Sequence, residues 1–260
     1  MARSAFALPL SNATLPCIGP GSKLAETLEV VSLRSRRPLY VAPDGRASGA
    51  LLVLRHAGNM PQMPDLATRL EGSIVVLEPL KAEHVDDLWQ AAQAQDIWQW
   101  TTHIADRRED FDAWAERSVD STRTGERCVF AILGRDSGSV IGSTSFHDFY
   151  PQDRVVEIGA TWLNPSAWRS GANVEAKLLM MGHAFEALGC VRVEFKTDAR
   201  NERSRAALAA IPAQFEGVLR KQKTLPGIGV RDSACYSVID EEWPAVRENL
   251  CRRLAQRLDG

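Results

Sequence analysis

Residues 155–185 read VVEIGATWLNPSAWRSGANVEAKLLMMGHAF. The strand-like run VVEIGATWL stops at Asn164-Pro165, a short loop of small residues follows, and an apolar-periodic helix begins near Val174. Val174, Leu178, Met181, Phe185 and Leu188 recur at helical spacing, which predicts one buried stripe along a helix over 174–188. The helix start is thereby pinned to the end of strand 155–163. Its first amides lack intrahelical partners and carry partial positive charge. Ser170, Gly171 and Ala172 put little bulk in front of them, so the junction can seat an anion such as a phosphate. An ordinary strand-to-helix turn with Asn173 as N-cap explains the same residues. Neither a GxGxxG fingerprint nor a P-loop occurs, which counts against dinucleotide and nucleoside-triphosphate sites.

Alternation along the strand puts Val155, Glu157, Gly159, Thr161 and Leu163 on one face and Val156, Ile158, Ala160 and Trp162 on the other. Glu157 would then stand beside the small residues Gly159 and Thr161. A carboxylate that is partly desolvated there can act as a general base. The alternative is an edge glutamate paired with a cation such as Arg154.

Working outward, IVVLEPL (74–80) reads as a strand, and Val85, Leu88, Trp89 and Ala92 mark a helix over 83–93. An aromatic connection, DIWQWTTH (96–103), leads to a helix over 108–122. The strands CVFAILG and VIGSTSFHDF are joined by the hairpin signal Asp136-Ser137-Gly138-Ser139. After strand 155–163 and its helix come strand 191–198, helix 201–211, strands near 214–224 and 232–239, and helix 242–258. The order β-α-α-β-β-β-α-β-α-β-β-α is mixed α/β around one central sheet, in a single domain over 66–260. Residues 1–65 differ: they hold seven Lys/Arg against four Asp/Glu, many Pro and Gly, and little periodicity. A hairpin around Pro43-Asp44-Gly45-Arg46 within 39–55 is the one element they suggest. Met60 and Met63 would both serve as starts just before the patterned region.

The net charge of −2 and the absence of an aromatic-interleaved basic stripe give no pull toward nucleic acid. No apolar run approaches the roughly 20 residues that span a bilayer. Pro9 and Ser11-Asn12 interrupt the N-terminal apolar patch before it reaches signal-peptide length. The five cysteines are far apart and form neither a CxxC pair nor a Cys/His metal spacing, so reduced thiols in a cytoplasmic protein without a metal are expected. His84, His103, His147 and His183 are isolated in sequence; His147, at a strand end, ranks second to Glu157 as a base.

In FKTDARNERSRAALAAI (195–211), Asn201, Ser204, Leu208 and Ile211 share a stripe whose head is polar. Those polar groups either cap the helix or face a ligand cleft. With this segment in place, the chain from EIGATWLNP through RSGANVEAKLLMMGHAFEALGCVRVEFKTDARNERSRAALAA to RDSACYSVIDEEWP resembles the GNAT superfamily of acetyl-CoA-dependent N-acetyltransferases, and most closely its RimJ/RimL branch, which acetylates N-terminal amines of ribosomal proteins. The likeness covers about 70–250.

The resemblance implies a mixed, mostly antiparallel central sheet flanked by helices. It lays the family's pyrophosphate loop on Trp168, Arg169, Ser170, Gly171, Ala172 and Asn173, running into Val174. Trp168 stands where Gln or Arg is usual, and Asn173 replaces a Gly or Ala. The pantetheine arm would run along Trp162 and Leu163 and meet Asn201, with Ser204 near the thiol. Glu157 would be the general base and Tyr236 the acid toward the leaving thiolate. Ile211-Pro212-Ala213 replaces the usual Leu-Gly-Ala, so the helix over 201–211 must end differently.

The implied reaction is direct attack of a primary amine, a protein N-terminal α-amine or a small amine, on the thioester of acetyl-CoA through a tetrahedral intermediate. At pH 7 about one lysine amine in 2,500 is neutral, against about one α-amine in six, so an α-amine asks less of the base. Trp98, Trp100 and His103 either line the acceptor groove or pack a helix pair. No membrane partner is expected, and a homodimer is an admissible assembly. The rival reading is a non-catalytic acyl-CoA-binding or interaction domain.

Overall fold

The computed structural model describes residues 66–101, 107–225 and 229–258. The proposed hairpin at 39–55, His103, Cys17 and the N-terminal apolar patch lie outside them. The strands are β1 (Leu70–Glu71), β2 (Val75–Pro79), β3 (Cys128–Gly134), β4 (Val140–Tyr150), β5 (Val155–Leu163), β6 (Arg192–Asp198), β7 (Gln214–Leu225) and β8 (Gly229–Ile239). The α-helices are α1 (Val85–Ala91), α2 (Arg108–Thr124), α3 (Ala172–Gly182), α4 (Glu202–Ala210) and α5 (Trp243–Leu258). The expected order is met, with two-residue β1 added.

One eight-stranded sheet runs β1-β2-β3-β4-β5-β6-β8-β7. Every neighbouring pair is antiparallel except β5 and β6, whose parallel pairing follows from the α3 crossover. Both faces of the sheet are covered across β3, β4 and β5. In β3, Cys128, Phe130 and Ile132 enter the core under α3 and α5, whereas Val129 and Ala131 meet α1 and α2. Strand β3 therefore reads as a continuous apolar run. Phe111 and Ala115 of α2 join Leu88 of α1 on the second face, and α5 closes the first with Trp243, Val246 and Leu250.

Three local expectations need correction. The buried side of α3 carries Ala172, Ala176, Met180 and Met181, while Val174, Leu178 and Phe185 are only partly buried. Small alanines against the sheet let the helix approach closely, so the true stripe is displaced from the one the large residues mark. Regular α-helix also stops at Gly182, and His183–Ala187 forms a π-helical turn whose Leu188 N–H donates to the His183 carbonyl. The N-cap is Gly171 in a left-handed conformation, not Asn173. Helix α4 ends without a glycine: the N–H groups of Ile211 and Ala213 both donate to the Leu208 carbonyl.

Candidate functional site

Strand β5 organises the site through an irregularity. Ser143 of β4 pairs with Trp162 and Ser145 with Gly159, so β5 carries one extra residue, and Ala160 has φ +46°. Such a bulge reverses which face the later side chains take. Before it, Val156 and Ile158 face α3; after it, Thr161 and Leu163 do, and Trp162 packs on the α1–α2 side. Glu157 and Thr161 are consequently on opposite faces, which corrects the simple alternation. Beyond Glu157 and Glu194, β5 and β6 no longer pair, and the strands part.

The parting opens a cleft of about 680 Å³ lined from β4, β5, α3, β6, α4 and α5. At its α3 end, Arg169 (φ +64°) and Gly171 (φ +94°) turn the chain sharply into the helix. A Cβ on Gly171 would come within 2.8 Å of the Ile74 side chain. Gly171, the N-cap, has no side chain to offer the first amides. Ser170 Oγ donates to the Ala167 carbonyl and accepts at 3.3 Å from the Ala172 N–H. Arg169, Arg203, Arg253 and Arg257 all line the cleft, with Arg203 over the Trp168 ring and the Arg257 stem beside Gly171. That is the chemistry of a polyanion seat.

Trp168 does not replace an anchoring cation in kind. Its indole N–H donates to the Leu163 carbonyl at 2.9 Å, and the Arg203 guanidinium lies 4.1 Å above its ring. Tryptophan thus ties off the end of β5 and holds an arginine over the anion seat.

Asn201 caps α4: its Oδ1 accepts from the Ser204 N–H at 3.0 Å. Both residues also line the cleft, so the capping and ligand-facing readings hold together. Trp162, Leu163, Arg169, Gly171, Asn173 and Val174 line it as well; Ser170 and Ala172 support the loop from behind. Tyr236 is 5% exposed, accepts a hydrogen bond from Arg205 Nε at 3.1 Å, and is not among the lining residues. The structure does not bring it to Glu157 and Ser204.

Glu157 is a lining residue, but Arg154 is not its partner. Lys196 Nζ reaches Glu157 Oε2 at 2.7 Å and Glu194 Oε2 at 3.1 Å, and Arg192 pairs with Glu194 and Glu216. Burial opposes the Lys196 charge, yet the hydrogen bonds it donates to these carboxylates hold its pKa above the usual lysine range. His147 stands opposite Glu157 in the β4–β5 register, and its Nε2 is 2.8 Å from Ser145 Oγ. A Cβ on Gly159 would lie 3.2 Å from the His147 ring and 3.3 Å from Glu157 Oε1, so glycine gives both groups their room. Trp98 packs on Phe111 and Trp162 and donates to the Ala92 carbonyl; Trp100 carries the Arg200 guanidinium 5.5 Å from its ring centre.

Lys177, like Lys196, Arg127 and Arg231, escaped the sequence reading. Lys177 is buried on α3, donates to Thr161 Oγ1 at 2.7 Å, and faces the cleft with no ion-pair partner among the described residues. Burial pushes its pKa down to about 7. A lone lysine inside the apolar run VEAKLLMM was the available signal.

The profile of the acetyltransferase (GNAT) domain matches residues 75–212. An uncharacterized N-acetyltransferase of Bacillus subtilis (strain 168), YoaA, is 32% identical over 110 residues, 42% of this chain. That match spans 61% of the curated relative's length. A GCN5-related N-acetyltransferase from Brucella melitensis superposes with a TM-score of 0.69 at 32% identity, covering 75% of this chain and 90% of the other. Mycobacterium smegmatis RimJ, solved with CoA-disulfide, shares the fold at a TM-score of 0.65 and 20% identity, with 75% and 98% of the two chains covered.

Proposed function

The chain belongs to the GNAT acetyltransferase family, and on that premise we propose that it moves the acetyl group of acetyl-CoA to a primary amine, either a protein N-terminal α-amine or a small-molecule amine. The carrying observation is that one cleft joins the start of α3 and four arginines to Glu157 and His147. Bound acetyl-CoA would supply an activated acyl carbon. Its pyrophosphate fits the Gly171 turn, and Asn201 offers its side-chain amide to the pantetheine arm.

Glu157, directly or through water, takes the proton that the attacking amine sheds as the new C–N bond forms. The C–S bond then breaks and coenzyme A leaves as its thiolate, which collects a proton from solvent. Lys196 acts on the base by position: it holds the Glu157 carboxylate toward the cleft with a 2.7 Å hydrogen bond. Placed opposite in the register, His147 is the second candidate for the proton. Tyr236 receives no role, because its hydroxyl accepts from Arg205 outside the cleft lining.

The test is release of coenzyme A thiol from acetyl-CoA in the presence of an amine panel. Loss of a general base lowers such rates about 10²- to 10⁴-fold. Glu157→Gln should therefore reduce kcat by at least about 100-fold. If that variant keeps the wild-type rate while His147→Gln loses it, the base is His147. If no acceptor releases thiol above background, the transfer reading falls.

A further inference from the structure

Among the described residues, three buried side-chain polar atoms lack a hydrogen-bond partner: Arg127 Nε, Arg231 Nε and Asn249 Oδ1. Both arginines line the cleft. Arg231 is 5% exposed, and its side chain makes no ion pair or hydrogen bond among the described residues. The acidic groups that act on it, Asp198 and Glu157, do so at longer range and are already engaged. Asp198 gives both oxygens to Arg200, and Glu157 is held by Lys196. The Arg127 guanidinium has one hydrogen bond among the described residues, from Nη2 to Ser118 Oγ at 3.1 Å.

Folding a chain around an uncompensated guanidinium is costly. A polar atom left this way inside a cleft is repaid when a ligand supplies the acceptor. The geometry says which ligand. Cys128, Phe146 and Ile158 point to the α3 side of the sheet, so the neighbouring residues Arg127, His147 and Glu157 take the opposite face. In β8, Ala234, Tyr236 and Val238 likewise enter the α3-side core, which leaves Arg231 on the face of Glu157. The seat at Gly171, by contrast, belongs to the start of α3. An anion at Arg231 is therefore separate from the pyrophosphate and arrives with the molecule that approaches Glu157.

We propose that the acceptor is an amine that also carries an oxyanion, a carboxylate or a phosphate-type group, and that Arg231 anchors this group. The inference rests on the acetyl-transfer reading. A planar guanidinium with free N–H donors matches the two oxygens of such a group. The anchor fixes the acceptor's orientation, so that its amine meets the thioester next to Glu157.

The experiment compares matched acceptors: an amino acid with its amide, and an aminoalkyl phosphonate with the corresponding alkylamine. Wild-type protein should favour the acid of a pair in kcat/KM by about 10- to 100-fold, the worth of a charged hydrogen bond. The pair that shows the preference identifies the oxyanion. In Arg231→Gln the acid-to-neutral ratio should fall toward one, and Arg231→Lys should restore part of it. Equal kcat/KM for both members of each pair in wild type overturns the proposal, as does an unchanged ratio in Arg231→Gln. If Arg231→Gln fails to fold, the same comparison with Arg231→Lys decides.

A binding arm separates this inference from the transfer reading. Coenzyme A titration of wild-type protein reports on the donor seat alone. With coenzyme A bound, the acid acceptor should raise the melting temperature where its neutral partner does not. Thiol release from no acceptor, together with that selective shift, sinks transfer and keeps the anchor. Transfer without acid preference does the reverse.

Discussion

Lys177 offers a measurement that needs no substrate. Its ammonium is buried on α3 with one hydroxyl for a partner, and burial lowers its pKa from 10.5 to about 7. That drop corresponds to about 5 kcal/mol, at about 1.4 kcal/mol per pH unit. The sign follows from proton binding. Between about pH 7 and 10.5 the unfolded chain holds the proton and the folded chain does not, so stability rises with pH across that window. The cost is felt in full below about pH 7 and fades as pH climbs toward 10.5. Lys177→Met removes the cost and the bond to Thr161, the latter worth about 1.5–3 kcal/mol. At pH 7 the variant should be more stable by about 2 to 3 kcal/mol. From pH 7 to 9 the wild type should regain about 2 kcal/mol that the variant does not. Urea denaturation followed by far-UV circular dichroism at pH 7, 8 and 9 reads this as a narrowing gap between midpoints. Parallel stability curves over that range would refute the argument, because they would mean that the lysine is no harder to charge in the fold than in the open chain.

Two further substitutions test the frame around the cleft. Gly171→Ala puts a Cβ at φ +94° and 2.8 Å from Ile74, so it should cost about 1–3 kcal/mol of stability and weaken coenzyme A at least about tenfold, read by thermal melting and calorimetric titration. Glu175, 2% exposed, accepts from the N–H groups of Ser73, Ile74 and Val75 at 2.6 to 2.7 Å. Glu175→Ala strands all three and should lower the urea-unfolding free energy by at least about 3 kcal/mol, with Glu175→Gln in between because one acceptor oxygen remains.

The sequence by itself determined the element order, the single central sheet and the turn before α3, because these follow from local causes: apolar period, a proline stop and a run of small residues. It also singled out Glu157, Asn201 and Ser204, which line one cleft. What it could not state was the face of each later β5 residue, since the extra residue at Ala160 shows only against the β4 partner. Nor could it tell which charges meet. Lys196 rather than Arg154 pairs with Glu157, Arg205 occupies Tyr236, and Arg231 Nε is left without a hydrogen-bond partner among the described residues, all because β6, α4 and β8 come together from distant parts of the chain. Lys177 is the plainest case: as a letter in VEAKLLMM it is a polar interruption, and only packing of α3 against Thr161 and Phe195 makes it a buried ammonium. Local backbone preference is written in neighbouring residues; electrostatic partnership depends on distance in space, which tertiary folding alone sets.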